Sequence, residues 1–260
     1  MLTALNTAAT SLNAQQSNIE RISNDLANAN TDGYKRGDLE FEDLMYHTIR
    51  EPGAQLGDAS QSPVGVQTGT GVKVGTSTKI FEQGPARMTY HPYDLMIEGN
   101  GFFQVQMPNG QTGYTRNGAF HLDAQGRLML GSGAMLMPQI TVPPNTSNVT
   151  VTPNGEVQAL MQDGTLTVIG QLQLHTFQNE QGLRAQGSGI YMTSPSSGAP
   201  IQGMPNENGY GNIQQGALEA SNVNVANSMV DMITTQRAYE MGTKVMGVAD
   251  KMLESTVNLR

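Results

Sequence analysis

The sequence predicts an α+β protein whose N- and C-terminal helices pair as a coiled-coil-like domain around a central all-β domain of antiparallel hairpins. Three observations predict it. Apolar residues recur at helical spacing over 2–29 and 223–259; the period falls to two between about 80 and 195; and the stretches joining these regions are crowded with Gly, Pro, Gln and Thr. A single globular domain has little reason to place its only long helices at its two termini. A subunit that polymerises through paired ends does.

In the first helix Leu5, Leu12, Ile19 and Leu26 fall seven apart, with Ala8, Ile22 and Ala29 three positions on. That is a heptad seam broken by the polar Gln15, on a rod of roughly 42 Å. An amphipathic helix lying on a core reads the same way, but a second stripe at the other end favours pairing. There Ala226, Val230, Ile233, Met241, Val245, Val248, Met252 and Leu259 follow helical steps, interrupted by Arg237 and by Ser255 or Thr256. Asn222 or Asn224 is the candidate N-cap, and Gly242 costs about 1 kcal/mol relative to Ala inside a helix. Neither stripe is strongly apolar, so both helices should be weak alone and consolidate on packing.

Between the helices, short alternating strands end in hairpin signals. Phe102–Met107 runs into Pro108-Asn109-Gly110, Gly113–Arg116 into Asn117-Gly118, and Ala119–Leu122 towards Gln125-Gly126. The pattern returns with Val149–Val151, Asn154-Gly155, Glu156–Leu160, Asp163-Gly164 and a longer strand expected over Thr165–Phe177. The Gly- and Pro-rich stretches 51–79 and 194–215 read as extended connectors or linkers. The expected organisation is therefore an N-terminal helix in 1–35, an extended connector or long hairpin in 36–79, a β domain in 80–215 and a C-terminal helix in 216–260.

Composition excludes several functions. The net charge is -8 and the 14 basic residues are scattered, which leaves no electrostatic footprint for nucleic acid. Without Cys, neither disulfides nor thiolate metal sites can hold the fold. The first residues lack the basic n-region of a cleaved leader, and no apolar run reaches the roughly 18 residues of a membrane span, so no membrane insertion is expected and the chain is either cytoplasmic or exported by a route that uses no cleaved leader. No Lys follows a Gly, which rules out a Walker A loop; Gly69-Thr70-Gly71 has Val74 where a dinucleotide fingerprint needs Gly. His47, His91, His121 and His175 share no ligand spacing. Asn28, Asn30, Asp32 and Gly33 mimic the start of a calcium loop, but Leu39 stands where its bidentate carboxylate belongs. Asp38, Glu40, Glu42 and Asp43 form an acidic cluster; a wall-acting hydrolase built on it would need a cleft and sugar-stacking aromatics, and Trp is absent. No cofactor, metal or catalytic residue is expected.

The segment Asn24–Arg36, NDLANANTDGYKR, closely resembles the N-terminal signature of the bacterial flagellar rod and hook axial proteins, through Asn24, Leu26, Ala27, Asn28, Thr31, Gly33, Tyr34 and Lys35. Glu219–Val225, with Ser221, Asn222 and Val223, and Gln236–Glu240, with Arg237, Ala238, Tyr239 and Glu240, look like the family's C-terminal signature. Gly99–Phe103 and Tyr114–Gly118 resemble its β domain, so the likeness spans the chain. Two positions depart from the pattern: Asp25 and Gly242 stand where Asn is usual. The stretch Phe41–Tyr46, Arg50–Gly53 and Pro63–Val72 looks like the long connector of the distal rod member, and 260 residues leave no room for a hook protein's outer domain. A proximal rod or short hook protein is the alternative within the family.

The resemblance implies a non-enzymatic subunit of the distal rod, a rigid hollow drive shaft in the periplasm towards the outer membrane. It implies an open homopolymer, with proximal rod proteins, hook protein, surrounding ring proteins and the flagellar type III export apparatus as partners. The helix seam Leu5, Leu12, Ile19, Ile22, Leu26, Val230, Ile233, Met241, Val245, Val248 and Met252 is expected to carry self-assembly. Phe41 and Met45 match a Phe-x-x-x-apolar export motif, and a buried anchor reads equally well.

Overall fold

A computed structural model describes residues 2–52, 55–57, 60–61 and 64–258. The chain divides into two compact units, the first holding residues 1–26, 37–78 and 224–260, the second 27–36 and 79–223.

The first unit contains both long helices. Helix α1 spans Leu2–Ala27 and α2 spans Val225–Asn258. Asn224 caps α2: its side-chain oxygen accepts the Asn227 N–H at 3.2 Å while its carbonyl takes the Ser228 N–H at 2.9 Å. The helix α1 ends two residues before Ala29, the last seam position expected of it, because Asn28 to Asn30 form a turn. Between the helices the connector is a β-ribbon. Gly37–Asp43 pairs with Val72–Lys79, His47–Arg50 with Val66–Thr68, and Gln55–Gly57 with Ser60–Gln61. Its Gly and Pro residues exclude buried strands, but an exposed ribbon has no core face to fill, and His47–Arg50 is exposed throughout. Gly53 and Pro63 of the connector lie outside the described residues. The ribbon is tied to α1 by the Val72 N–H, which donates to Thr10 Oγ1 at 3.3 Å.

The two helices meet in this unit, and α2 meets α1 through small residues and not through its aliphatic stripe. Asn18 Nδ2 donates to Thr235 Oγ1 at 3.2 Å, and a Cβ on Gly242 would come within 2.8 Å of Leu12. The face of α2 that is half-buried or buried carries Ser228, Met232, Thr235, Ala238, Gly242 and Met246, mostly small residues. Small side chains let a neighbouring helix approach, which explains the glycine in mid-helix. The predicted aliphatic stripe points outward: Val230, Ile233, Met241, Val245, Val248 and Met252 are each 55–61% exposed. Ala226 is exposed as well, and Leu259 lies outside the described residues.

The second unit is β. Its large sheet runs in the order Phe120–Leu122, Leu128–Leu130, Met135–Met137, Phe102–Gln106, Thr112–Thr115, Ile190–Met192, Arg184–Gly187, with Leu174–Thr176 bridging Phe102–Gln106 to Ile201–Gly203. All pairings are antiparallel. Thr146–Val151, Glu156–Met161 and Leu166–Gln171 form a separate three-stranded sheet. Four expected hairpin turns form, with Gly110, Gly126, Gly155 and Gly164 at φ of +77° to +84°, a conformation that glycine takes without strain, but Asn117-Gly118 is not a hairpin turn, because Thr112–Thr115 and Phe120–Leu122 pair with other strands.

Two expectations here are corrected. The single strand over Thr165–Phe177 divides at Leu172, so that Leu166–Gln171 completes the small sheet and Leu174–Thr176 joins the large one. Leu172 is fully buried at that switch, an anchor that a strand-period pattern does not distinguish. The stretch 194–215 is not a linker: Ile201–Gly203 and Asn212–Gln215 pair within the β unit, and Gly203 leaves room for the Tyr210 ring to lie against the backbone. The main core gathers Leu95, Ile97, Phe103, Val105, Phe120, Leu136, Leu174 and Ile213. Each such fully buried side chain contributes roughly 1.5–3 kcal/mol. A second cluster, Phe102, Tyr114, Phe177, Leu183 and Tyr191, packs edge-to-face with Phe81 on its margin.

Candidate functional site

Two signature segments, 184 residues apart, converge on one buried ionic cluster within the β unit. The turn after α1 starts it: the Thr31 N–H donates to the Asn28 carbonyl at 3.1 Å and the Tyr34 N–H to the Thr31 carbonyl at 3.3 Å. Gly33 sits at φ +70°, where a Cβ would lie 2.7 Å from the Asn117 nitrogen, and its N–H donates to the Glu219 carbonyl at 2.7 Å. Glycine is required there on both counts. Asp32, the pseudo-calcium carboxylate, instead accepts both Arg87 bonds, at 2.8 and 2.7 Å.

Lys35 follows with its side chain fully buried. Its Nζ donates to Glu219 Oε1 at 2.5 Å and to the Glu82 carbonyl at 2.7 Å. Glu219 Oε1 also accepts the Gly84 N–H at 2.9 Å, and Arg116 Nη1 lies 3.6 Å from Glu219 Oε2. The guanidinium is 5.2 Å from the Phe102 ring centre, and Arg116 Nε and Nη1 together with Glu219 Oε2 have no hydrogen-bond partner among the described residues. Burial pulls the Lys35 ammonium and the Arg116 guanidinium below their ordinary values, against the opposing pull of Glu219. Burial likewise pushes Glu180 upward, and with the Glu219 charge it raises the Tyr191 hydroxyl to about 12.

Around the cluster the backbones of both segments are tied. Asn222 Oδ1 accepts the Arg36 N–H at 2.7 Å, while its Nδ2 donates to the carbonyls of Ile80 at 2.9 Å and Glu82 at 3.1 Å. Asn222 is thus consumed as a strap, which leaves Asn224 as the cap. Lys79 Nζ lies 4.4 Å over the Tyr34 ring and donates to the Lys35 carbonyl at 3.0 Å. Ser221 Oγ accepts the Val223 N–H at 3.3 Å.

Of the remaining signature residues, Asn24, Leu26 and those at 237–240 lie in the helical unit. Leu26 is half-buried near the end of α1, next to the buried Asp25, which accepts the Gly37 N–H at 3.0 Å and an Arg21 bond at 3.0 Å. An acid at that position is matched by its arginine. Arg237 and Glu240 form an exposed pair at 3.5 Å on α2, with Ala238 half-buried between them. Leu5, Leu12 and Ile19 are half-buried and Ile22 is buried. Phe41 is 42% and Met45 88% exposed, so neither is a buried anchor. Neither Arg116 nor Glu219 is marked as a site residue by the signatures alone; a charged residue breaking an otherwise strand-like run, as Arg116 does after Tyr114-Thr115, is the signal that points to it. Among the described residues no three His, Cys, Asp or Glu are placed to hold a metal ion, and no described helix is long and apolar enough to cross a membrane.

The arrangement fastens one signature segment of the chain to the other. Residues 5–35 match the family described as flagella basal body rod protein, 96–159 the flagellar hook protein FlgE/F/G D1 domain, and 214–259 the flagellar basal body rod FlgEFG protein C-terminal region. The class is that of the flagellar basal-body rod and hook proteins. The flagellar basal-body rod protein FlgG of Buchnera aphidicola subsp. Acyrthosiphon pisum is 43% identical over the whole of both chains. Those of Caulobacter vibrioides and Borreliella burgdorferi are 44% and 38% identical, each covering at least 99% of both chains. Within the class, the chain therefore belongs to the family of flagellar basal-body rod proteins FlgG. Among solved structures the Helicobacter pylori flagellar hook protein FlgE2 is 13% identical, with 71% of this chain covering 43% of that one at a TM-score of 0.25, a likeness too low to carry an argument.

Proposed function

We propose that this chain is the structural subunit of the flagellar distal rod, a rigid hollow tube that transmits torque and conducts exported subunits. The observation that carries the reading is the outward aliphatic stripe of α2, whose members from Val230 to Met252 are each more than half exposed, over roughly 33 Å of helix. A stripe that long is costly to leave in water and has the form of a seam awaiting other copies. Repeated without closure, such a heterologous contact yields an open helical filament. The terminal helices would pair in coiled-coil fashion and pack into the inner tube, and the exposed connector ribbon would brace neighbouring subunits. The proximal rod, hook, surrounding rings and type III export apparatus are the partners this reading implies, with the tube standing in the periplasm towards the outer membrane. It assigns no catalytic role.

Ile233→Asp and Val245→Asp test it. Both positions are exposed, so subunit stability should move by less than about 0.5 kcal/mol, while assembly in cells should fail to yield rods by electron microscopy and motility should be lost. Normal rods from both variants would sink the reading. Deleting residues 50–64 should leave rods that bend more easily under tomography; unchanged rigidity would remove the bracing role. Labelled subunits found at the hook, beyond the rings, would assign the chain to a different segment of the axle.

A further inference from the structure

One solvent face of the large sheet carries a donor set that lies apart from the buried ionic cluster. His121 pairs with Met129 across one strand boundary and Met129 with Met135 across the next, so a single row reads His, Met, Met. Strand alternation fixes the face: Phe120, Leu130 and Leu136 point into the core, and their neighbours His121, Met129 and Met135 point the other way. His121 is exposed and the two methionines are half-buried. The His91 ring stands 6.4 Å from the His121 ring, centre to centre, and 5.6 Å from that of Tyr93. His91 Nδ1 lies 3.6 Å from Asp94 Oδ1, which turns Nε2 away from the carboxylate. Asp94 is itself fixed, accepting the Thr89 hydroxyl at 2.6 Å. A carboxylate beside the remote nitrogen is how a metal-ligating imidazole is usually oriented.

We propose that His91, His121 and Met129 form a binding site for a soft monovalent cation, Cu(I) or Ag(I), with Met135 the next sulfur in the row. Two imidazoles sharing one metal at about 2 Å hold their ring centres roughly 6 Å apart or less, so the observed spacing needs little movement to close. Directly opposed strand residues have Cβ atoms about 4.5–5.5 Å apart, within reach of a flexible thioether. Thioether sulfur selects Cu(I) and is a poor donor to zinc, magnesium or calcium. The thioether is what makes this set a site, since no three His, Cys, Asp or Glu among the described residues could hold a metal.

The full-length protein is titrated with Cu(I) under anaerobic conditions against the competing chelator bicinchoninate. One equivalent should transfer to the protein. Met129→Leu and His121→Asn should each weaken binding by more than the roughly tenfold that losing even an outer partner costs at a metal site. Met204→Leu, at an exposed position on another segment, should leave it unchanged. No transfer to the parent protein overturns the proposal. So does equal weakening by Met129→Leu and Met204→Leu, which would mean diffuse binding by the chain's 16 methionines. A measurement without substitutions guards against misfolding: in methionine-methyl NMR of the parent, Ag(I) should shift the Met129 resonance first, and a shift confined to other methionines overturns the site.

Discussion

Replacing Lys35 by Met separates a clasp from an ornament. Both side chains of the Lys35–Glu219 pair are fully buried, and Nζ makes two short bonds, to Glu219 Oε1 at 2.5 Å and to the Glu82 carbonyl at 2.7 Å. Met matches the length of the aliphatic stem, so packing is kept and the charge alone is lost. Glu219 would then keep the Gly84 N–H at 2.9 Å and Arg116 at 3.6 Å, the latter without a hydrogen bond. Removing one partner of a buried pair costs about 3–5 kcal/mol, because the other charge stays buried. The remaining guanidinium offsets part of this, which places the expected loss near the lower end, about 3 kcal/mol. For a body of this size that lowers the melting temperature by roughly 6–12 °C. Glu219→Gln should cost more, since it leaves two buried cations facing each other. The double variant should cost less than the sum of the singles, and the shortfall is the coupling energy of the pair. Urea unfolding followed by circular dichroism measures the loss, and hydrogen exchange locates it: the Gly33 and Gly84 amides, both held by Glu219, should lose protection first. A loss below about 1 kcal/mol, the scale of a surface pair, with those amides unchanged, would mean that the ionic cluster does not fasten the two signatures.

Gly33→Ala forces a side chain into φ +70° with its Cβ 2.7 Å from the Asn117 nitrogen, and should cost on the order of 2–3 kcal/mol in urea unfolding. Gly110→Ala, at φ +82° with nothing within 4 Å, should cost only the strain, about 1 kcal/mol. Buried His175 is held below its ordinary 6.5 by desolvation and its Nδ1 has no partner, so the unfolded chain takes up a proton before the folded one. Its contribution is complete above 6.5 and is lost as pH falls through the lowered value; His175→Gln should flatten that part of the urea-midpoint profile. Tyr191, raised to about 12, should ionise well above the ordinary tyrosine value of 10 in an alkaline ultraviolet titration, and stability should fall as pH climbs from 10 towards 12, a slope that Tyr191→Phe removes.

The β unit was legible where glycine carried the information. Gly110, Gly126, Gly155 and Gly164 each take a left-handed conformation at a turn named from two or three letters, because few other residues fit there. Helix periods were legible too, but a period does not say which of two stripes faces inward. On α2 the larger side chains at Val230, Ile233 and Val245 outweighed Ser228, Thr235 and Gly242 on any hydrophobic count, and the smaller set won the inner face because it permits close approach. The connector is legible only as an extended segment or long hairpin, and the strand Ile201–Gly203 carries no sequence signal, since exposed pairing needs no apolar alternation. The Lys35–Glu219–Arg116 cluster was half visible: both signatures were recognised, but 184 residues of separation conceal which lysine meets which glutamate.

Asn222 and Glu219 hold Arg36 and Lys35 where the polypeptide enters and leaves the β unit, so the unit is laced shut at its own neck. Tension applied along either strand there would load several short bonds in parallel instead of peeling them one after another. A body closed in this way has no loose thread. A subunit of a turning shaft that hung on frayed ends would creep under sustained load, whereas one knotted at the collar yields only when its buried charges are torn apart together.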